Sequence, residues 1–192
     1  MESLYNRCTG RQISARQVRD LSEDDFGDSF WGLAASSSQR LLASLDSEIK
    51  RLEKRVDQAL ENHDNYRILQ TMGGVGKILG ATISLETGDL NRFRRVGNYT
   101  SYCRCVRSEK TSNQKKKGEG NRKNGNSYLS LAWMEAAQGA LVWQEKARRF
   151  YQRKKAKKNV WVARKALAHK LCRAGYFMMR DQTEYSSARL FN

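Results

Sequence analysis

Proline is absent from all 192 residues of this chain, and that absence constrains its folding more than any motif does. Proline fixes φ, lacks an amide donor and breaks a helix interior, so a proline-free chain can run long, unkinked helices. The apolar spacing agrees. Leu42, Leu45, Ile49, Leu52, Val56 and Ala59 step by three and four residues, while Glu48, Lys50, Arg51, Glu53, Lys54, Arg55 and Asp57 fall outside that line. This is the seam of a two-helix coiled coil, or equally the buried edge of one long helix packed on its own domain. A second amphipathic helix runs from Val160 through Ala163, Leu167, Leu171 and Ala174 to about Met179. The expected fold is all-α: a weakly structured segment at 1–30, a long helical, coiled-coil-like arm at 31–65, and a compact basic helical domain at 66–192. A chain of roughly 150 residues or more buries about two-thirds of its unfolded surface, so a sizeable core is expected.

Charge is segregated along the chain. Residues 1–90 carry 11 Lys and Arg against 14 Asp and Glu, whereas residues 91–192 carry 25 against 6. A one-sided positive field of that kind most commonly meets a phosphate backbone. An anionic membrane fits less well, because the basic segments hold Trp, Tyr and Gly in a loop-and-helix pattern rather than one amphipathic stripe. The first 30 residues lack a continuous apolar core and no run is long enough to span a bilayer, which predicts a cytoplasmic protein with no membrane partner. Cys8, Cys103, Cys105 and Cys172 form no CxxC pair, and His63 and His169 are the only histidines. Reduced thiols and no metal site are expected. Glu23, Asp24, Asp25 and Asp28 beside Gly27 read as a solvated turn or helix start rather than a metal site.

The candidate binding residues fall in three places. Residues 69–86 read as helix, glycine hairpin, helix: Gly73, Gly74 and Gly76 can take positive φ, and helical spacing resumes at Ile78, Ala81, Thr82 and Leu85. A helix-hairpin-helix element of this kind aims backbone N–H groups at a phosphate, making Gly74, Gly76 and Lys77 candidates; the alternative is a tight turn needing small residues for packing. Residues 91–123 read as an irregular cationic loop, disordered without nucleic acid, with Arg92, Arg94, Arg95, Arg104, Arg107, Lys110, Lys115, Lys116, Lys117, Arg122 and Lys123. Phe93, Tyr99 and Tyr102 interleave there as faces on which a base could stack. Asn126, another candidate, or Ser127 caps a helix reaching about Lys146. The third place is the run Arg148 to Lys158, with seven basic residues in eleven positions including Lys154, Lys155, Lys157 and Lys158, together with Arg164 and Lys165 on the last helix. That run is a binding surface or a solvated face. Trp133, Trp143 and Trp161 read as core, and His169 as structural.

The order Leu69, Thr71, Met72, Gly74, Val75, Gly76, then Leu85, Glu86, Gly88, Asp89, then Arg92 and Phe93, then a serine loop, then Lys123, Gly125, Asn126, Leu129 and Glu135, Ala136, Ala137 is familiar. Over about residues 66–180 it resembles the C-terminal transposase domain of the bridge-RNA-guided insertion-sequence transposases, the IS-one-ten group with its Piv-type DNA invertases. The resemblance implies a guide RNA that chooses DNA sites, an N-terminal RuvC-like domain with a DEDD set of metal-binding carboxylates, and a C-terminal serine that attacks DNA. That serine maps to Ser112, within Lys110, Thr111, Ser112 and Asn113. A serine hydroxyl is a weak nucleophile without a base or metal beside it. The chain departs from the family pattern at Gly73, where the family has proline, at Cys103 to Arg107, and at Asn113, where it has glycine. Its Met1 falls near where the DEDD domain would end, so that domain is expected to be missing. A fainter similarity, through Val75 to Ala81, Ser108 to Lys110 and Ala163 to Leu171, is to the Nop domain of guide-RNP proteins.

These readings together predict a protein that binds guide or structured RNA and target DNA, pairs as a homodimer or higher homo-oligomer through its arm, and does not cleave DNA on its own. It needs no cofactor within this chain, with Mg2+ only if a DEDD domain acts in trans. Two alternatives stand beside it: Ser112 as the nucleophile of a transposase or recombinase completed in trans, and a DNA-binding remnant that represses its parent element.

Overall fold

The computed structural model of the chain describes residues 5–6, 10, 12–13, 17–26, 29–106, 109–112, 115–119 and 124–191, with the backbone alone over the strands between 109 and 119. Helices dominate: α1 Ser29–Leu60, α2 Asp64–Gln70, α3 Lys77–Thr87, α4 Val96–Tyr102, α5 Ser127–Trp143, α6 Glu145–Lys157, α7 Val160–Asp181 and α8 Ser187–Phe191. Between α4 and α5 lie two short antiparallel strands, β1 Glu109–Ser112 and β2 Lys115–Glu119. The chain divides into two compact units, Met1–Arg55 and Val56–Asn192.

In the first unit Tyr5, Phe26 and Ala35 form a small buried cluster with Ile13 and Leu21 against it, and Tyr5 meets Phe26 edge-on at 5.7 Å. The acidic stretch is a 3-10 turn, Glu23–Phe26, whose Asp25 carboxylate accepts from the Ser22 amide at 2.7 Å and hydroxyl at 2.9 Å. Those bonds hold the Asp25 carboxyl below its usual range. Asp28 of that stretch lies outside the described residues.

The core of the second unit is built on α5 and α7, with α6 packed on both, α3 on α5 and α2 on α3 and α7. The buried line of α5, Leu129, Ala132, Trp133, Ala136, Ala137 and Ala140, follows the helical repeat. The line of α7, Ala163, Leu167, Ala168, Leu171, Cys172, Gly175, Tyr176, Met178 and Met179, does the same. Alanine and glycine in these lines let backbones approach, and one large side chain fills the gap: Trp133 is fully buried, and a Cβ added at Gly175 would lie 2.2 Å from its ring. Asn126 resolves the capping alternative: its Oδ1 accepts from the Leu129 amide at 2.9 Å and α5 starts there. Asn159 caps α7 in the same way through Val162.

Two sequence expectations change here. The stretch 91–123 is not simply irregular: among its described residues it holds a 3-10 turn at Leu90–Arg92, α4 and the β-hairpin. Tyr99 and Phe93 are not open stacking faces, because both are buried in the core and meet edge-on at 5.3 Å, with Tyr99 also tilted against Tyr176 at 5.6 Å. Burial pushes the Tyr99 hydroxyl well above the ordinary tyrosine range, with the Cys103 and Cys172 thiols adding to it.

Candidate nucleic-acid interface

The glycine turn between α2 and α3 splits into two roles. Gly74 has φ +102, and a Cβ there would fall 2.4 Å from the Ala140 amide nitrogen and 2.6 Å from the Ala136 carbonyl oxygen. Gly139 on α5 meets Gly74 from the other side, its built Cβ 2.9 Å from the Gly74 Cα. Gly74 is therefore where the turn crosses α5 backbone to backbone, a packing role. At Gly76, in contrast, an added Cβ would meet nothing within 4 Å, and the residue stands exposed at the N-terminus of α3. The next residue, Lys77, keeps an exposed side chain but pairs with Asp57, whose other oxygen accepts from the buried Tyr66 hydroxyl at 2.6 Å. Lys77 and Tyr66 hold the Asp57 carboxyl below its usual range, and burial with Asp57 pushes Tyr66 up to about 12.

The root of the β-hairpin is clamped. Arg104, at φ 53, donates from Nε to the Asn124 carbonyl at 3.1 Å and from Nη2 to the Gly125 carbonyl at 2.9 Å. The Asn126 amide donates to the Tyr102 carbonyl at 2.7 Å, and Gly125, at φ +91, lets the chains pass so closely that a Cβ would meet that same oxygen at 2.4 Å. The Asn126 side chain donates to Glu86 at 2.5 Å. Arg92 lies over the Phe93 and Tyr102 rings at 4.5 and 4.6 Å, and hydrogen bonds from Asn126 and then Arg92 draw the Tyr102 hydroxyl below its ordinary range. Asn126 is thus fixed by the fold on both of its side-chain atoms, while Arg92 is exposed and held in orientation.

From this root the strands pair Glu109 with Glu119, Lys110 with Gly118, Thr111 with Lys116 and Ser112 with Lys115, with an irregularity between Lys110 and Thr111. Ser112 is the last residue of β1, opposite Lys115 at the tip end, so the lysines of 115–117 and the serine share one small ribbon. Arg107, Arg122 and Lys123 lie outside the described residues. Arg94 and Arg95 are exposed just before α4.

The third group gathers on α6 and the first turns of α7. Lys154, Lys155, Lys157 and Lys158 are exposed, as is Lys165, while Arg164 is half-buried over the exposed Trp161 ring at 5.6 Å. Trp161 is 71% exposed and Trp143, at the end of α5, is 77% exposed, so of the three tryptophans expected in the core Trp133 alone is there. His169 is partly buried beside the α7 core line, and burial with Arg173 lowers its imidazole below the usual range. Among the described residues, no three His, Cys, Asp or Glu side chains come together as a metal site would require, and no helix is long and apolar enough to cross a membrane.

Residues 66–152, from the Tyr66 anchor through the glycine turn, hairpin, α5 and most of α6, match the model of the Transposase IS116/IS110/IS902 family. That stretch, a little under half of the chain, is similar to the IS116/IS110/IS902 transposases. It is 27% identical over 147 residues to the insertion element IS110 uncharacterized 43.6 kDa protein of Streptomyces coelicolor, covering 76% of this chain and 36% of that protein. To the insertion element IS116 uncharacterized 44.8 kDa protein of Streptomyces clavuligerus it is 24% identical over 157 residues, covering 81% of this chain and 39% of that one. The chain thus spans less than two-fifths of the length of the curated relatives it matches. The match stops within α6, although α7 is the packing partner of both α5 and α6.

Proposed function

We propose that this chain is a nucleic-acid-binding protein whose transposase-like domain holds guide or structured RNA together with target DNA. The observation that carries the reading is the placement of positive charge: exposed arginines around a clamped hairpin root, lysines along the hairpin strands, and an exposed lysine group on α6. In such a complex Lys and Arg hold phosphates while paired RNA supplies sequence choice. A second copy of the chain is the proposed partner of α1, because Leu42, Leu45, Ile49, Leu52 and Val56 of its heptad line are all exposed. The test is to purify the chain from a native-like host with its flanking DNA and sequence what accompanies it. One discrete small RNA mapping beside the gene is the expected result. Heterogeneous RNA, or DNA alone, contradicts the guide-RNA reading and favours a remnant that binds phosphate without choosing.

The hairpin favours a second reading, in which Ser112, presented near the tip of a lysine-rich ribbon, attacks DNA while a partner supplies carboxylates and Mg2+. On that reading Ser112→Ala abolishes strand exchange and leaves binding intact. Equal loss of binding, or no change in exchange, defeats it.

A further inference from the structure

Trp143 ends α5 with 77% of its surface in water, and it forms a wall of a cleft of about 380 Å³ shared with Gly73, Gln144, Lys146 and Tyr185. The floor of this cleft is fixed. The Gln144 side-chain amide donates to the Gly73 carbonyl at 2.5 Å and accepts from the Tyr185 hydroxyl at 2.6 Å, while the Tyr185 backbone amide donates to Thr71 at 3.0 Å. Burial pushes the Tyr185 hydroxyl up to about 12, so that bond persists across ordinary pH. A rigid polar floor beside an open indole face is a surface for a flat ring.

Charge at the cleft narrows the occupant. Glu145 also lines it, which disfavours an anion inside, and Glu145 is held by Arg149 at 2.5 Å. Lys146 stands at the cleft and Arg148 beyond it, both exposed, at the start of the basic helix α6. An occupant with an uncharged flat part and an anionic tail satisfies both conditions. The volume is at the small end for a ligand site, room for one nucleotide rather than a base pair. A base inside a duplex is already stacked on both faces, whereas an unpaired one is free to stack on an aromatic side chain.

We infer that the Trp143 cleft is a stacking site for an unpaired nucleobase, whose phosphates run toward Lys146 and the head of α6. The inference rests on the nucleic-acid-binding reading above. The experiment is fluorescence polarisation with the full chain, comparing a labelled single-stranded RNA of mixed sequence with an RNA duplex of equal length. Trp143→Ala weakens single-strand binding by about 5- to 150-fold, the range for losing one base–aromatic stack, and leaves duplex binding unchanged. Trp143→Phe retains most of the single-strand affinity. Equal loss for both RNAs, or no loss for either, overturns the cleft assignment while leaving the nucleic-acid reading in place. Failure of the unaltered chain to bind either RNA overturns that reading itself.

Discussion

Gly74→Ala separates a packing role from a phosphate-binding role at the glycine turn. The substitution meets two penalties. Residue 74 sits at φ +102, where a residue with a Cβ is strained by about 1–3 kcal/mol. The new Cβ also falls 2.4 and 2.6 Å from backbone atoms of α5, which cannot swing aside as a side chain would, and overpacking of this sort costs about 1–3 kcal/mol. Together these give a loss of about 2–6 kcal/mol, against a typical total stability of about 5–15 kcal/mol. The control is Gly76→Ala, at φ −87 with open space around it, which should leave stability nearly unchanged. Urea midpoints of the three proteins, followed by circular dichroism, make the comparison. A Gly74→Ala midpoint matching the parent would refute the packing argument and return Gly74 to the list of phosphate contacts.

Two further outcomes follow from the same geometry. Gly175→Ala drives a Cβ to 2.2 Å from the buried Trp133 ring, so it should destabilise by about 1–3 kcal/mol despite the better helix propensity of alanine; combining it with Trp133→Phe should recover part of that loss, and strictly additive losses would show the two are uncoupled. Asp57 is held ionised below its usual range by Lys77 and Tyr66, so its contribution is complete above the ordinary aspartate pKa of about 3.9 and fades as pH falls below it toward the depressed folded value. The stability gap between the parent and Asp57→Asn should therefore be wider at neutral pH than in acid, and a gap independent of pH would contradict the pairing.

The helices were readable because their apolar lines keep one period over several turns, as α7 does from Ala163 to Met179. The basic run was readable as charge, and its Lys, Arg, Gln and Ala content favours the helix α6 that it forms. The hairpin was not readable: Lys115-Lys116-Lys117-Gly118-Glu119 has no alternating apolar pattern and poor strand propensity, so nothing local announces β2. Of the three tryptophans expected in the core, the two exposed ones stand at helix ends. Trp161 lies seven residues before Ala168, in phase with the core line, and is exposed because it sits in the first turn of α7, ahead of the first buried residue, Ala163. Trp143 lies three residues past Ala140 and is in phase with the core, yet α5 ends at it, which spacing alone does not reveal. Phe93 and Tyr99 stood among arginines in sequence and looked like an open platform, but long-range contact with Tyr176, whose hydroxyl donates to the Phe93 carbonyl at 3.0 Å, draws them into the core. The similarity to that family was legible from ordered motifs that the fold now explains separately: Gly74 by a backbone crossing, Gly125 by the hairpin root, Asn126 by a helix cap.

The central claim is that phosphate contacts made by the exposed cations hold nucleic acid to this domain. The most direct measurement is the salt dependence of binding for the parent and for a variant with Lys154, Lys155, Lys157 and Lys158 all changed to Gln. Each phosphate contact contributes about 0.7 to 0.9 to the slope of log affinity against log salt. The account predicts a steep slope for the parent and one shallower by about 3 for the variant, whose fold should be unaffected because all four side chains are exposed. A slope near zero for the parent, or the same slope in both proteins, would contradict it.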